Sequence, residues 1–382
     1  MRFPLDVCIR GDGITGCALA LALAAQGLRV GVVSARADEK APGMGSGDVR
    51  AYSLNASARQ LLEGLQAWPS DAHATPVRHM SVWGDEGGQI DFDAPAATAL
   101  SWIVDVSALE AALHQRVQTT PEISWLQAAE TAELTVVCEG RDSATRREWG
   151  LTFERQPYEQ HALGFRIRHA MAHQHRARQW FSGSGSSASI LAFLPLGDPH
   201  TSAVVWSLPA QRAQTLRAQT DSDLLLALSS ACGATLGEMG LVSERATWPL
   251  QSAQAHHWTG PLSDGRAYAL VGDAAHNIHP LAGLGLNLGL DDVAALSLML
   301  SRRAAKAQLA GVADLRLLRS YERQRKLAVS TVNAACDGLQ TLFAHPSPVV
   351  RWLRNTGLSC VNRMQAVKHW TMAQATHLEI TP

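Results

Sequence analysis

A glycine-rich segment, Val271–Leu290, has the residue types of a ligand-binding loop that leads into a helix. It reads VGDAAHNIHPLAGLGLNLGL. Gly283 and Gly285 lack side chains where the backbone would have to pass close to a ligand. A helix is expected to begin near Leu284–Leu286, and its unpaired N–H groups would favour negative charge. Asp273, at the end of the preceding strand, can hydrogen-bond a sugar hydroxyl. The segment therefore predicts a site for a ligand with negative charge and a sugar.

A second glycine-rich turn, GDGITG, follows the first predicted strand of the chain. Gly11 permits a tight turn, Gly13 lets the backbone reach a pyrophosphate, and Gly16 allows close packing of helix on strand. The strand, the following helix and the second strand are expected at Asp6–Arg10, Cys17–Gln26 and Leu28–Val33. A GxGxxG pattern alone is weak evidence, but within a βαβ unit it predicts dinucleotide binding.

The residue that should hold the adenosine ribose departs from this pattern. An acidic side chain is expected about 20 residues after the glycines, but Ser34 occupies the position. Arg36 and Asp38 are close, and neither is in register. A serine hydroxyl makes one such contact without the two charged acceptors of a carboxylate. Two interpretations stay open: a site held by other groups, or a Rossmann shell with weakened cofactor affinity.

Several segments together resemble motifs of the FAD-dependent aromatic hydroxylases. The segment that begins at Gly272 resembles GDAAHxxxPxxGQGxNxGxxD, and DVRAYSLNASARQLLEGLQAW resembles RxxALsxxSxxxLxxLGxW. LTVVCEGRDSATRR resembles VVGADGxxSxVR, and ILAFLPLGD resembles the substrate-side strand of these enzymes. The tail RNTGL resembles that of the ubiquinone-biosynthesis hydroxylases. The chain is thus similar to the ubiquinone-biosynthesis hydroxylases within the para-hydroxybenzoate hydroxylase group.

The resemblance implies a cofactor, a reaction and a set of site residues. FAD would be the cofactor and NAD(P)H the co-substrate, and O2 would hydroxylate a phenolic ring, a prenylated ubiquinone precursor. The flavin carries the chemistry, so no catalytic side chain is implied. The residues expected to bind the cofactor are Gly11, Gly13, Gly16, Ser34, Arg36, Arg50, Asp105, Gly272, Asp273, Pro280, Gly283, Leu284, Gly285, Leu286 and Asn287.

Three residues depart from the motifs of the resembled family. Ser34 replaces the ribose acid, Glu139 replaces an aspartate, and Leu284 replaces the glutamine of GQG. The segment before Leu134 is also short, which predicts that an antiparallel meander is trimmed. These departures motivate an alternative, a non-catalytic accessory protein of a quinone-biosynthesis assembly. A flavoprotein reductase is a third hypothesis, whereas the absence of a WxWxIP-type motif argues against a halogenase.

The predicted fold class is α/β. A Rossmann-like FAD-binding domain is expected, with an inserted, mostly antiparallel β-sheet substrate domain and C-terminal helices. The expected divisions are 1–75, 95–150 and 265–315 for the FAD domain, 76–94 and 151–264 for the substrate domain, and 316–382 for the helical region. Within them, Met80–Asp93 predicts a hairpin, Ser53–Gln66 a helix, and residues 160–250 mainly strands. Further helices are expected at Leu286–Arg303, Leu315–Leu342 and Val361–Ala375.

Composition narrows the partners and the location of the protein. The net charge of -1, without a long basic run, argues against nucleic-acid binding. The six cysteines form no CxxC pair, and the histidines lack a full ligand set, so no metal site is expected. No apolar run reaches the roughly 18 residues of a spanning helix. We expect a cytoplasmic protein that acts on a small aromatic substrate. Peripheral association at the inner face of the membrane, a biosynthetic complex and a homodimer are left open.

Overall fold

The computed structural model describes residues 3–34, 48–85, 87–262, 265–278, 283–305, 311–345 and 347. Its helices are α1 (Ile14–Ala24), α2 (Ala56–Gly64), α3 (Val106–Gln118), α4 (Ala144–Glu148), α5 (Ala210–Ala218), α6 (Asp221–Cys232), α7 (Gly285–Ala305) and α8 (Leu315–Ala344). Its strands are β1 (Leu5–Arg10), β2 (Val30–Val33), β3 (Ala51–Leu54), β4 (Ala74–Val77), β5 (His79–Trp83), β6 (Gln89–Asp93), β7 (Ser101–Asp105), β8 (Ile123–Leu126), β9 (Ala132–Val137), β10 (Phe153–His169), β11 (Arg176–Ser182), β12 (Ser189–Pro195), β13 (Thr201–Pro209), β14 (Met239–Leu241), β15 (Ala246–Ala255), β16 (Thr259–Pro261), β17 (Ala267–Leu270) and β18 (His276–Asn277).

A mostly parallel sheet carries the first glycine-rich turn. Its strand order is β16-β17-β9-β1-β2-β8, and β16 pairs antiparallel with β17 while the other pairs are parallel. Val7 and Ile9 of the central β1 are fully buried, as expected for a parallel strand that is covered on both faces. The Ala/Leu-rich α1 is buried along most of its length and packs against α3 and α7. The expected α/β class with a parallel sheet is therefore confirmed.

A larger, mostly antiparallel sheet lies beside the first. Its order is β18-β15-β10-β13-β12-β11-β5-β6, β14 pairs with β10, and β11 pairs parallel with β5. Strands β5 and β6 form the hairpin predicted over Met80–Asp93. Leu163, Phe165 and Trp206 point to one face, where α5 and α6 cover them. Arg166, on the opposite face, reaches Asp105 at the end of β7, so this second face is turned towards the small sheet that contains β7.

A three-stranded antiparallel sheet, β3-β7-β4, packs against both larger sheets. Val104 of β7 belongs to the core of the parallel sheet, and its neighbour Ile103 packs in a cluster with Ala203 of β13. It corrects the helix predicted over Ser53–Gln66, because residues 51–54 form β3 and the helix begins only at Ala56. Asn55 explains the boundary: its side chain accepts a hydrogen bond from the Ala58 N–H and caps α2. A strand that pairs with β7 thus replaces what the leucine spacing presented as helix.

Two helices interrupt the region in which mainly strands were predicted. α5 and α6 lie between β13 and β14. The expectation of mainly strands over residues 160–250 is confirmed by β10 to β15, and these two helices are the part that it did not specify. The Thr220 hydroxyl accepts a hydrogen bond from the Asp223 N–H at the start of α6, and Gly233, with φ 64°, ends it. Leu224 and Leu228, four residues apart, are fully buried against the sheet. Thr220 and Gly233 are typical helix-capping residues, so the sequence did contain a signal for α6.

The C-terminal helices and the short connection before β9 agree with expectation. β8 passes to β9 over residues 127–131, and no strand lies between them, as the trimmed meander predicted. α7 and α8 occupy the two helical segments predicted there. The buried Tyr321 of α8 donates its hydroxyl to the carbonyl of Leu270 at 2.9 Å, which attaches α8 to β17. The predicted helix Val361–Ala375 and the RNTGL tail lie outside the described residues.

Candidate functional site

The three glycines of the turn between β1 and α1 have two different roles. Gly11 and Gly16 allow close packing, and Gly13 leaves the backbone open to a ligand. A Cβ on Gly11 would lie 2.4 Å from the Cys138 carbonyl oxygen, and one on Gly16 would lie 1.9 Å from the Gly11 carbonyl oxygen. Both glycines are therefore required by the fold itself. Gly13 is exposed, and a Cβ there would meet nothing within 4 Å. The open side of the turn at Gly13 is the place where a ligand can approach the backbone.

The start of α1 can receive an anion. Gly13 caps α1 without a side-chain hydrogen bond, so the first-turn N–H groups have no partner within the helix. Such a helix start favours phosphate groups. Two residues that sequence reasoning missed hold the turn. Nε2 of His114 lies 2.7 Å from the Asp12 carbonyl oxygen, and Sγ of Cys17 donates to the same oxygen at 3.1 Å.

The turn after β17 places Asp273 in the open. Gly272 has φ 62°, and its N–H donates to Oδ2 of the buried Asp292 at 2.9 Å. The Asp273 side chain is exposed, although the protein packed around it displaces enough water to raise the pKa of its carboxyl. A Cβ on Gly289 of α7 would lie 2.8 Å from Cγ2 of Thr15. The second glycine-rich segment therefore packs directly against the first.

The start of α7 is tied to β3 and to the residue that caps α2. Oδ1 of the buried Asn287 accepts from the Asn55 N–H at 2.8 Å, and its Nδ2 donates to the Ser53 carbonyl at 2.7 Å. Its amide is thus committed to protein backbone, and Asn287 holds α7 against β3. Gly283, with φ 63°, and the half-buried Leu284 lie just before α7. Leu286 and Gly285 open the helix.

Arg50 and Asp105, two expected cofactor residues, each form an ion pair within the protein. A guanidinium nitrogen of Arg50 lies 2.6 Å from the Asp48 carboxylate, and hydrogen bonding to Asp48 raises the pKa of Arg50. Asp105 accepts from Arg166, which sequence reasoning did not single out, and Nδ1 of His73 lies 3.2 Å from it. The charge of Asp105 is therefore balanced from β10. Only Arg50 keeps a largely exposed side chain, at 44%.

Glu139, one of the departures from the family motif, is used by the fold. Its carboxylate accepts from the Ser143 hydroxyl at 2.7 Å and from the Thr145 N–H at 2.9 Å, which organises the start of α4. Arg146 of α4 is buried above the Phe153 ring and donates to the Ala274 carbonyl at 2.7 Å. Burial lowers the pKa of Arg146 to about 10. This segment therefore braces the turn that carries Asp273.

Three of the expected positions add little geometry. Ser34 directly follows β2 and is half-buried, at the end of the strand as predicted. Arg36 and Pro280 lie outside the described residues.

The histidines considered as metal ligands make hydrogen bonds within the protein. The ring of His169 is hydrogen-bonded to the Ser202 hydroxyl, and the ring of His173 donates to the Leu196 carbonyl. Among the described residues, no group of three or more His, Cys, Asp or Glu side chains is arranged to hold a metal ion.

The face of the large sheet opposite α5 and α6 carries an apolar surface. A Cβ on Gly164 would lie 2.6 Å from Cη2 of Trp248, so the indole lies directly over this glycine. Val205 pairs with Gly164, and Ala192 pairs with Val205, on the same face. All three of these side chains are half-buried. Arg166, two residues along β10, donates weakly to the Arg50 carbonyl at 3.5 Å, which places this surface beside the Arg50 segment.

Comparison with known families decides the class of the protein. Residues 108–335, more than half of the chain, match the family described as an FAD binding domain. The chain belongs to this FAD-binding family. It is 28% identical to the 3-demethoxyubiquinol 3-hydroxylase of Escherichia coli strain K12 over 402 residues, which cover 98% of this chain and 99% of that protein.

Further comparisons agree with this assignment. The flavoprotein is 28% identical to ubiquinone hydroxylase UbiL of Rhodospirillum rubrum over 398 residues, which cover 97% of this chain and 89% of that protein. Its fold matches the crystal structure of p-nitrophenol 4-monooxygenase from Pseudomonas putida DLL-E4 with a TM-score of 0.75, at 16% identity and with 100% of both chains covered. The resemblance to the ubiquinone-biosynthesis hydroxylases is confirmed.

The cofactor follows from the family, and the site residues fit it. FAD is the cofactor, and the protein is an FAD-dependent monooxygenase. The open backbone at Gly13, the uncapped start of α1 and the exposed Asp273 suit a dinucleotide with a diphosphate and a sugar. Across the described helices, none combines the length and the apolar character needed to cross a membrane.

Proposed function

We propose that this flavoprotein hydroxylates an apolar, prenylated phenol that is a precursor of ubiquinone. The observation that carries the proposal is the similarity over 98% of the chain to a 3-demethoxyubiquinol 3-hydroxylase. The apolar sheet face beside the Arg50 segment supports it, because a prenylated ring needs an apolar wall. FAD and the monooxygenase class come from the family, whereas the substrate is the new element.

We propose the following placement of FAD. Its diphosphate lies at Gly11–Gly16 against the start of α1, Asp273 binds a sugar hydroxyl, and the ring system lies beside Gly283–Asn287. Arg50 supplies a positive charge at the diphosphate or at the ring edge. Ser34 contacts the adenosine ribose, and Arg36 and Pro280 complete the set. The support is geometric, since Gly13, Asp273 and Arg50 are exposed and the two glycine-rich segments meet where Gly272 and Gly289 lie against Thr15.

The protein's own groups have three tasks in this proposal. When bound, FAD accepts reducing equivalents from NAD(P)H and activates O2 for insertion into the ring. The first-turn N–H groups of α7 favour negative charge on the flavin side of the site. Arg166 balances Asp105, so that no net charge from this pair faces the ring. Ala192, Val205 and Trp248 form a wall that excludes water from the reacting atoms.

The sheets also support a division of labour between domains. We propose that residues 1–75, 95–150 and 265–315 form the FAD domain, and that 76–94 and 151–264 form the substrate domain, with 316–382 as a helical region. The parallel sheet and α7 carry the glycine-rich segments, and the hairpin of β5 and β6 belongs to the antiparallel sheet that presents the apolar face.

A lipophilic substrate would be delivered from a membrane surface or from a partner enzyme. Co-sedimentation with lipid vesicles and measurement of the solution mass would test these associations and a homodimer.

The test of the proposed activity is oxidation of NADH or NADPH in the presence of prenylated phenols under ¹⁸O2. The proposal predicts substrate-stimulated oxidation and a product that contains one ¹⁸O atom. The same phenol without its prenyl group serves as the matched control and should react more slowly. A reduced product that contains no ¹⁸O would instead indicate a reductase. A flavin-bound protein that shows no stimulated oxidation with any of these phenols would contradict the proposal.

Two departures from the family motifs favour a second candidate, an accessory protein without turnover. Ser34 lacks the charge of the usual ribose acid, and Leu284 replaces the glutamine beside the flavin. Weak FAD retention together with stable binding to a quinone-biosynthesis enzyme would favour this candidate. Glu139 does not support it, because that carboxylate is used to build α4.

A further inference from the structure

A buried carboxylate on α7 joins three segments behind the turn that carries Asp273. Asp292 is fully buried, and both of its oxygens accept hydrogen bonds. Oδ2 accepts from the Gly272 N–H at 2.9 Å and lies 2.7 Å from Nε2 of His276. Oδ1 accepts from Nε of Arg325 at 2.7 Å. A buried carboxylate is tolerated only with such partners, so the arrangement is specific.

The charge of Asp292 is maintained inside the protein. Burial alone would raise its pKa, but His276 and Arg325 together hold the pKa of Asp292 below its ordinary value. Arg325 is 3% exposed and also donates to the Leu288 carbonyl at 3.1 Å. α8 therefore fixes Asp292 in place through Arg325. Hydrogen bonds to an ionised acceptor are about twice as strong as those between neutral groups.

The two groups that Asp292 holds in the turn lie on either side of Asp273. Gly272 precedes it, and His276 follows three residues later. The ring of His276 also stacks on the buried Trp258, with centroids 4.9 Å apart. Between these anchors, the Ala274 carbonyl accepts from Arg146. The backbone around Asp273 is thus fixed from behind, while its carboxylate remains exposed.

We infer that Asp292 is a positioning residue of the FAD site, which acts through Gly272 and His276 to aim Asp273 at the cofactor. Asp292 touches no cofactor atom itself. The inference rests on the proposed placement of FAD against Asp273. It assigns a role to the last residue of the glycine-rich motif and to Arg325, which lies 33 residues further along the chain.

The test uses Asp292→Asn in the holoenzyme. An amide of the same size cannot offer two charged acceptor oxygens, so the turn loses its fixed position. FAD release is followed by the rise in flavin fluorescence after dilution, and the melting temperature is measured on the same sample. We expect release to be roughly ten- to hundredfold faster, the range for loss of a hydrogen bond to a charged group. Asp291→Asn is the matched control, because Asp291 lies 3.8 Å from Arg325 and forms no hydrogen bond to the turn. It should release FAD at the rate of the unmodified protein.

Equal release rates from Asp292→Asn and Asp291→Asn would overturn the inference. If Asp292→Asn does not fold, His276→Gln and His276→Leu decide the matter. Glutamine keeps an N–H near the position of Nε2 and should retain FAD, whereas leucine should release it faster; equal rates for the two would refute the role. Asp273→Asn tests the placement separately. An unchanged release rate in Asp273→Asn would remove the placement and the inference together, whereas faster release there with normal release from Asp292→Asn would remove only the inference.

Discussion

Gly13 offers a direct test of where the FAD diphosphate lies. Its φ of -72° and ψ of -176° are accessible to any residue, and a Cβ there would meet nothing within 4 Å. Gly13→Ala should therefore fold normally. Loss of backbone freedom in the unfolded chain favours alanine, and its poorer capping of α1 opposes this, so the net change in stability should stay within about 1 kcal/mol.

The cofactor should respond very differently to the same methyl group. If the diphosphate approaches the backbone at Gly13, the added carbon displaces it from the first-turn N–H groups of α1. Loss of one charge-assisted hydrogen bond corresponds to about 1.5–3 kcal/mol, or roughly ten- to hundredfold weaker FAD binding. Gly16→Ala should behave in the opposite way, because its Cβ would lie 1.9 Å from the Gly11 carbonyl oxygen. We expect Gly16→Ala to lower the free energy of unfolding by about 3 kcal/mol, so its main effect is on folding and not on FAD binding.

The assay measures FAD affinity by flavin fluorescence quenching and stability by urea unfolding of the same variants. Gly64→Ala is the matched control, since Gly64 ends α2, is exposed, and would place its Cβ in open space. It should change neither FAD affinity nor, beyond a few tenths of a kcal/mol, the free energy of unfolding. Unchanged FAD affinity in Gly13→Ala would refute the placement of the diphosphate at this turn.

Three further predictions concern the ribose contact, the substrate wall and a buried acid. Ser34→Glu should tighten FAD binding by roughly 1–3 kcal/mol if ribose contact limits affinity; unchanged affinity in a titration would mean that another group already holds the ribose. Trp248→Ala should raise KM for a prenylated phenol while FAD release stays constant, and an unchanged KM would exclude the indole from the substrate wall. Burial raises the pKa of Asp291 to about 6, so the folded state binds its proton more tightly than the unfolded state and stability falls as pH rises from about 4 to 6. Asp291→Asn should therefore stabilise the protein by up to about 3 kcal/mol at pH 8 and by little at pH 4; an equal gain at both values in urea unfolding would contradict this.

Local patterns predicted the parts of the fold that depend on neighbouring residues. The βαβ unit follows from Gly11, Gly13 and Gly16 between two apolar strands, although Gly11 also packs against the distant Cys138 carbonyl, which the spacing did not predict. α7 begins at Gly285, within the range that the glycine spacing predicted. The strand β3 was missed because its leucine also fits a helical spacing with the leucines of α2. Only its pairing with β7, about fifty residues away, makes it a strand.

The parts of the site that involve distant residues could not be derived from spacing. Arg166 and Asp105 are 61 residues apart, and Arg325 and Asp292 are 33 apart. Each pair is joined by the packing of different elements, which a single sequence does not encode as a local pattern. Asp292 did carry a signal, since it closes the motif that begins at Gly272. The motif does not show that Asp292 is buried or that both of its oxygens accept hydrogen bonds, because the donors come from Gly272 and from the distant Arg325.

The visible spectrum of the purified protein, recorded after incubation with FAD and desalting, shows whether the chain binds FAD. We expect a flavin spectrum with stoichiometric FAD, because the Gly13 turn, Asp273 and α7 provide a site despite Ser34. That spectrum should bleach on addition of NADH or NADPH and recover in air. A colourless protein after desalting would contradict the proposed site and favour the accessory role over catalysis.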